Sequence, residues 1–276
     1  MVEIGKVNSL KIVKLSDYGI FLDGEEMGEI LLPNKETPET FIIGDFIDVF
    51  ISHDSEDRLV ATVTKPKAFR DDFVSLEVVS IDKNGAFLDW GMSKDLFVPF
   101  REQKTDLKVG CFYVFYIYLD EKSNRLVATR RLNKFFNEIS DDYEVDQEVD
   151  ILIYEETDMG YKAVIDNQFS GVIYKNEIFK KVYVGMSTKG YIKKIRDDKK
   201  VDLSLQPKNY MIIDNLSQDI LDLLDSEGGF LNMNDKSSPE LIYNRFGVSK
   251  KVFKNCLGNL YKKRLIEIKK DGIYKV

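Results

Sequence analysis

NGAFLD, residues 84–89, repeats the stretch YGIFLD, residues 18–23, at an offset of sixty-six. The likeness extends outward from that point in order. Leu31-Leu32-Pro33 returns as Phe97-Val98-Pro99 and Gly44-Asp45-Phe46 as Gly110-Cys111-Phe112 at the same offset; RLVAT at 58–62 returns at 125–129, one residue later. Self-similarity at a fixed period marks a repeated structural unit. A third, more diverged copy follows, with GYKAVID at 160–166, Gly171-Val172-Ile173-Tyr174, Gly185-Met186 and VDLSL at 201–205.

Each copy reads as five short strands. In the second, residues 73–81 alternate, Asp82-Lys83-Asn84-Gly85 is a turn, and 86–90, 96–99, 111–119 and 125–129 supply the remaining strands. Five strands in about sixty-five residues, with glycine at the bends, predict a Greek-key barrel of OB type. Closure also removes the sheet edges that tandem open sheets would expose. The expected barrels span residues 1–66, 67–132 and 148–208, with an acid-rich linker at 133–147 that carries Phe135 and Phe136.

After Pro207 the pattern turns helical. Ser217 is placed to cap a helix over 218–227, with Ile220, Leu221, Leu223 and Leu224 apolar and Gly228-Gly229 as its stop. Ser238-Pro239-Glu240 opens a second helix that Gly247 ends. Ser249 caps a third, whose apolar stripe is Val252, Phe253, Cys256, Leu257 and Leu260. Residues 265–268 and 273–276 form a hairpin, which completes a winged-helix layout over 213–276. The predicted fold is thus multi-domain and mainly β: three tandem five-stranded OB-type barrels followed by an α+β winged helix.

The second copy, NGAFLDWGMSKDLFVPFREQ, resembles the S1-type RNA-binding domain, with its Gly-Ala-Phe strand, loop and Gly-Leu-Val-like strand. Three such domains closed by a winged helix resemble the conserved virulence factor B family of bacterial RNA-binding regulators. The resemblance implies single-stranded RNA binding without catalysis, in the bacterial cytoplasm. It also implies a binding face with an aromatic on the Gly-x-Phe strand, a polar residue ending the third strand, and an acid–Arg pair before the last strand. The second copy offers Phe87, Asp120 and Arg125, with Pro99 at the position often held by His; the first offers Tyr18, Phe21, Asp54 and Arg58, with Pro33 there. The third has Lys162 in place of the Phe, Tyr174 at the His position and Lys200 near that of the Arg.

Net charge is −7, but it is polarised. Residues 245–276 carry a local +8, residues 175–200 a local +6, and residues 1–66 a local −7. Cations follow phosphates and aromatic rings stack bases, so the expected nucleic-acid surface combines Phe87, Arg125 and Tyr174 with the basic tract of the third barrel (Lys193, Lys194, Arg196, Lys200) and of the winged helix (Lys250, Lys251, Lys254, Lys262, Lys263, Arg264). Lys193, Lys194 and Lys254 have no evident carboxylate partner at helical or cross-strand spacing. Phe87 and Phe21 fit either base stacking or barrel packing, whereas Trp90, Phe112 and Phe115 are expected inside. Two distant cysteines, Cys111 and Cys256, and one histidine, His53, point to no disulfide, metal site or nucleophile–base pair. Phosphate-binding, metalloprotease and nucleophile-elbow motifs are absent, and no catalytic residue, cofactor or membrane span is expected. The rival partners are duplex DNA, read by the winged helix, and ribosome components, contacted by an interaction scaffold.

Overall fold

The computed structural model describes residues 1–276 except 140, 141, 176, 177, 179, 180 and 208. Glu177 and Lys180 of the basic tract, Ser140 and Asp141 of the linker, and Lys208 therefore lie outside the described residues. The chain divides into two compact units, Met1–Leu205 and Gln206–Val276.

The first unit holds three closed barrels. The first comprises β1 (Val7–Ser16), β2 (Gly19–Asp23), β3 (Glu29–Pro33), β4 (Phe46–His53) and β5 (Leu59–Thr62); the second comprises β6 (Phe73–Ile81), β7 (Gly85–Asp89), β8 (Leu96–Pro99), β9 (Phe112–Asp120) and β10 (Arg125–Thr129). The third comprises β11 (Glu148–Thr157), β12 (Gly160–Ile165), β13 (Phe169–Tyr174), β14 (Ser187–Ile195) and β15 (Val201–Ser204). In each, the hydrogen-bonded order is first, second, third, fifth, fourth strand. The third strand runs parallel to the fifth, and the other pairs are antiparallel.

Two local devices recur with the repeat. The long first strand bulges at one equivalent place in every barrel, between Ile12 and Lys14, Val78 and Ser80, and Ile153 and Glu155. A bulge bends a strand sharply, and here it lets one strand pair with both neighbours around a five-stranded closure. The glycine opening the second strand is required by space. A Cβ there would lie 2.1 Å from the Leu32 carbonyl oxygen at Gly19, 2.2 Å from that of Val98 at Gly85, and 2.0 Å from that of Ile173 at Gly160. The repeated glycine of the YGIFLD and NGAFLD motifs is thus a close backbone approach.

Strand alternation fills each barrel with aliphatic residues. Ile20, Leu22, Ile30 and Leu32 are buried in the first, and Ala86, Leu88, Leu96 and Val98 occupy the equivalent places in the second. Phe115 is fully buried as expected, but Phe112 is 59% exposed. The two stand three residues apart on one strand and therefore face opposite ways. Trp90 packs inside, with its indole N–H donating to the Lys94 carbonyl at 2.7 Å.

The barrels of this unit share packing. Phe50 of the first reaches the core of the second, with ring centroids 6.0 Å from Phe69 and 5.7 Å from Trp90. Between the second and third, the Phe73 amide donates to Asn167 Oδ1 at 2.6 Å, and Phe73, Val114, Tyr154 and Val164 form one buried cluster. The segment read as a linker contributes to it: Phe136 stacks on Phe73 at 4.8 Å, and Phe135 on Tyr116 at 4.2 Å.

The second unit consists of α1 (Asn209–Ser226), β16 (Phe230–Leu231), α2 (Pro239–Phe246), α3 (Lys250–Lys262), β17 (Ile266–Ile268) and β18 (Ile273–Lys275). Its sheet is ordered β16-β18-β17. Ser238 and Ser249 cap α2 and α3 as expected, accepting the Leu241 and Val252 amides, and Gly247 ends α2 in the left-handed region at φ 68°. Ser217 is a correction: it lies inside α1, which begins eight residues earlier. Its hydroxyl donates back to the Ile213 carbonyl at 2.6 Å, a local bond that lets serine sit mid-helix. The strand β16 also goes beyond the expected hairpin. Cys256 is buried beside Ser217, whereas Cys111 is exposed. Among the described residues no helix is long and apolar enough to cross a membrane.

Candidate nucleic-acid interface

Strand register lines up the same outward row across each barrel. In barrel 1 it reads Lys14–Phe21–Leu31–Val60–Ser52, and in barrel 2 Ser80–Phe87–Phe97–Val127–Tyr118. In barrel 3 it reads Glu155–Lys162–Val172–Asp202–Lys194. These rows are chemically different. Phe87 and Phe97 are half-buried and in contact, with centroids 5.3 Å apart and planes tilted by 43°. Phe21 is half-buried under the Lys14 ammonium, 4.6 Å above its ring. Both phenylalanines are therefore surface platforms set among strand neighbours and are not part of the barrel interior.

The third row is charged, and both of its carboxylates are already paired. Glu155 accepts from Lys162 at 2.8 Å and from Lys104 of barrel 2 at 2.6 Å. Partial burial pushes the Glu155 carboxyl up, but these two ammonium groups outweigh it and hold the group below its ordinary value. Arg196 pairs with Asp202 at 2.6 Å and also donates to the Tyr174 hydroxyl, so the guanidinium is held charged by Asp202 first. Lys200 pairs with Asp198 at 2.9 Å. The expectation that no carboxylate lies at cross-strand spacing fails for Lys194. Lys194 stands directly across the strands from Asp202, and Lys193, the extra residue of a bulge in β14, is already engaged. Cross-strand spacing could not be read without the register that this bulge shifts.

Arg125 is not paired with Asp120. It forms an ion pair with Asp57 of barrel 1, while Asp120 accepts from the Ser123 amide and hydroxyl. The equivalent pair in barrel 1 does form: Arg58 donates through Nε and Nη2 to Asp54 Oδ2 at 2.9 and 2.7 Å. Burial raises the Asp54 carboxyl, but the Arg58 hydrogen bonds and the local backbone amides bring it below its ordinary value.

The rows of barrels 1 and 2 open on one cleft of about 1000 Å³. Leu31 and Val60 line one wall, and Phe87, Phe97 and Val127 the other. The two barrels are joined by Phe50 in the shared packing, by the Arg125–Asp57 pair and by the Lys94 ammonium, which donates to the Asp54 carbonyl at 2.9 Å. His53 also lines it, and burial pushes that imidazole below its ordinary value. The sequence alone did not point to this cleft, because it belongs to neither copy by itself.

In the winged helix, Phe253, Cys256, Leu257 and Leu260 bury one face of α3, which leaves Lys251, Lys254, Asn255 and Lys262 exposed on the other, followed by exposed Lys263 and Arg264. Arg245, Lys269 and Lys275 are paired with Glu227, Glu267 and Asp225. The Lys250 ammonium donates to the Lys236 carbonyl at 3.3 Å. Among the described residues, Lys251, Lys254, Lys262, Lys263 and Arg264 make no ion pair. No group of three or more His, Cys, Asp or Glu is arranged to hold a metal ion among the described residues.

Tandem barrels of this strand order, followed by a helix-turn-helix and a wing, define a protein built from nucleic-acid-binding domains. Residues 4–64 and 72–131 match the S1 domain family, and residues 218–274 match the CvfB-like winged helix domain. The uncharacterized protein YitL of Bacillus subtilis is 30% identical over 273 residues, covering 94% of this chain and 89% of its own. The conserved virulence factor B of Staphylococcus aureus (strain USA300) is 24% identical over 279 residues, covering 98% of this chain and 93% of its own. A solved multidomain protein with nucleic acid binding domains from Streptococcus pneumoniae is 24% identical, covering 99% of this chain and 98% of its own with a TM-score of 0.41. The chain belongs to the conserved virulence factor B family.

Proposed function

We propose that the protein is a non-catalytic, cytoplasmic regulator of gene expression that binds single-stranded RNA, stacking bases on barrel 2 and holding phosphates with the winged helix. The observation that carries this reading is the half-buried Phe87–Phe97 pair on the outward row of an S1 barrel. Unstacked bases lie on such rings at roughly 1–3 kcal/mol each, whereas a duplex has no free base face to offer. The five cations on and after α3 that make no ion pair supply the salt-dependent share. In barrel 3, Arg196 and Lys200 must break an ion pair before they meet a phosphate, so their contribution is smaller than their number suggests.

The test is competition between a homopolymer RNA and duplex DNA for the full-length chain at several salt concentrations. Preference for single-stranded RNA, weakened by Phe87→Leu at unchanged melting temperature, supports the reading. Preference for the duplex, insensitive to Phe87, supports a second one. The exposed cationic face of α3, preceded by the tight turn at Gly247, favours that alternative, a winged-helix DNA reader.

A further inference from the structure

Charge counted by domain makes barrel 1 the least suitable surface for RNA, since residues 1–66 hold thirteen acidic and six basic side chains. The structure distributes those acids unevenly. Only Glu36 and Asp54 of the thirteen line the cleft. Neither is available to repel a phosphate freely: Glu36 accepts from the Thr62 hydroxyl and the Val63 amide, and Asp54 is held by Arg58. Barrel 2 adds Asp95, and the cations lining the same space are Lys35, Arg58, Lys94 and Arg125. The cleft is close to charge balance over apolar walls, which suits bases inside and phosphates at the rim, where Lys35 and Arg58 are exposed.

We propose that barrels 1 and 2 bind one strand jointly, with unstacked bases held in the cleft between the Leu31–Val60 wall and the Phe87–Phe97–Val127 wall. Barrel 1 is then half of the binding site. This rests on the reading that Phe87 stacks RNA bases, and it adds what the facing wall does. The two walls are already fixed at their working separation by Phe50, by Lys94 on the Asp54 carbonyl and by the Arg125–Asp57 pair. A strand entering the cleft therefore spends no binding energy on bringing two modules together. Arg125 acts here as a positioning residue, since its guanidinium spans the barrels. The row of barrel 3 is charged instead of apolar, with Glu155 paired to Lys162 and Lys104 and Asp202 to Arg196.

The experiment measures the affinity of the full-length chain for an oligouridylate of roughly twelve nucleotides, comfortably longer than the smallest OB site. The variants are Val60→Glu in the barrel 1 wall, Phe87→Leu in the barrel 2 wall, and both together, each checked by thermal unfolding. Leu31→Ala truncates the barrel 1 wall without adding charge and replaces Val60→Glu should that variant fold poorly. Joint binding predicts that each single change weakens affinity by about tenfold or more. The double variant should then be no weaker than the worse single one, because both changes empty one site. Losses that multiply, or wild-type affinity in both Val60→Glu and Leu31→Ala, overturn the joint site. If Phe87→Leu still weakens binding in that case, the RNA-binding reading survives. A wild-type chain that binds no oligouridylate and no other homopolymer RNA overturns both.

Discussion

Replacing Lys251, Lys254 and Lys262 together by Ala separates phosphate contact from every other source of affinity. All three are exposed on the face of α3 opposite its buried stripe, and none makes an ion pair among the described residues, so their removal leaves no orphaned carboxylate. For a single strand, each neutralised phosphate contributes about 0.7 to the slope of log affinity against log salt. Three lost contacts flatten that slope by about 2. Between roughly 50 and 200 mM salt, the wild type should therefore lose about twentyfold more affinity than the triple variant. Fluorescence anisotropy of a labelled homopolymer RNA across that range measures both slopes, and unfolding curves confirm that the variant is intact. A control triple in barrel 3, Lys193→Ala, Arg196→Ala and Lys200→Ala, should flatten the slope less, since these side chains are already engaged. An α3 variant with the wild-type slope would remove the winged helix from RNA binding. Equal effects in the two triples would refute the argument that existing ion pairs decide which cations serve.

Three further outcomes follow from the fold. Gly85→Ala puts a Cβ 2.2 Å from the Val98 carbonyl oxygen and should destabilise barrel 2 by more than about 3 kcal/mol in urea unfolding; a loss under about 1 kcal/mol would mean that β7 and β8 can separate freely. Ser249→Ala removes the α3 cap and should lower winged-helix stability by about 1 kcal/mol, read by hydrogen exchange in α3. Glu155, whose carboxyl is held low by Lys104 and Lys162, is more acidic folded than unfolded, so its stabilisation is full above the ordinary glutamate value near 4.5 and fades as pH falls through the lower folded value. Acid unfolding below about pH 4.5 should thus be less steep in Glu155→Gln; an unchanged profile would show that the link between barrels 2 and 3 contributes nothing.

How much of this was legible before the structure depends on the range over which each residue acts. The glycine at 19, 85 and 160 repeats because one backbone passes another within a single barrel, and a motif records such a local need. The caps Ser238 and Ser249 are equally local. Ser217 misled because a serine near an apolar run has the same appearance at a cap and in mid-helix, and only its bond to Ile213 separates the two. Phe112 is hard to place from an aromatic-rich strand alone, because alternation sends residues 112 and 115 to opposite faces. Lys194 was harder to read, because the bulge at Lys193 shifts the register that sets it opposite Asp202.

The candidate site was half legible, for a physical reason that also bears on the part proposed for barrel 1. Repeats report what each copy needs in order to fold, and the row containing Phe87 can be found from one copy alone. The pairing of Arg125 with Asp57, the insertion of Phe50 beside Trp90 and the sharing of one cleft by Val60 and Phe97 each join residues from different copies. No periodicity within a copy encodes them. Net charge by domain is equally blind to such contacts, because Coulomb interaction depends on distances of a few ångströms in a screened medium, and most acids of barrel 1 lie outside the cleft. A domain with a surplus of seven negative charges can therefore present a nearly neutral wall to a strand. Barrel 3, whose residues 175–200 carry a local +6, presents a row in which both carboxylates are already paired.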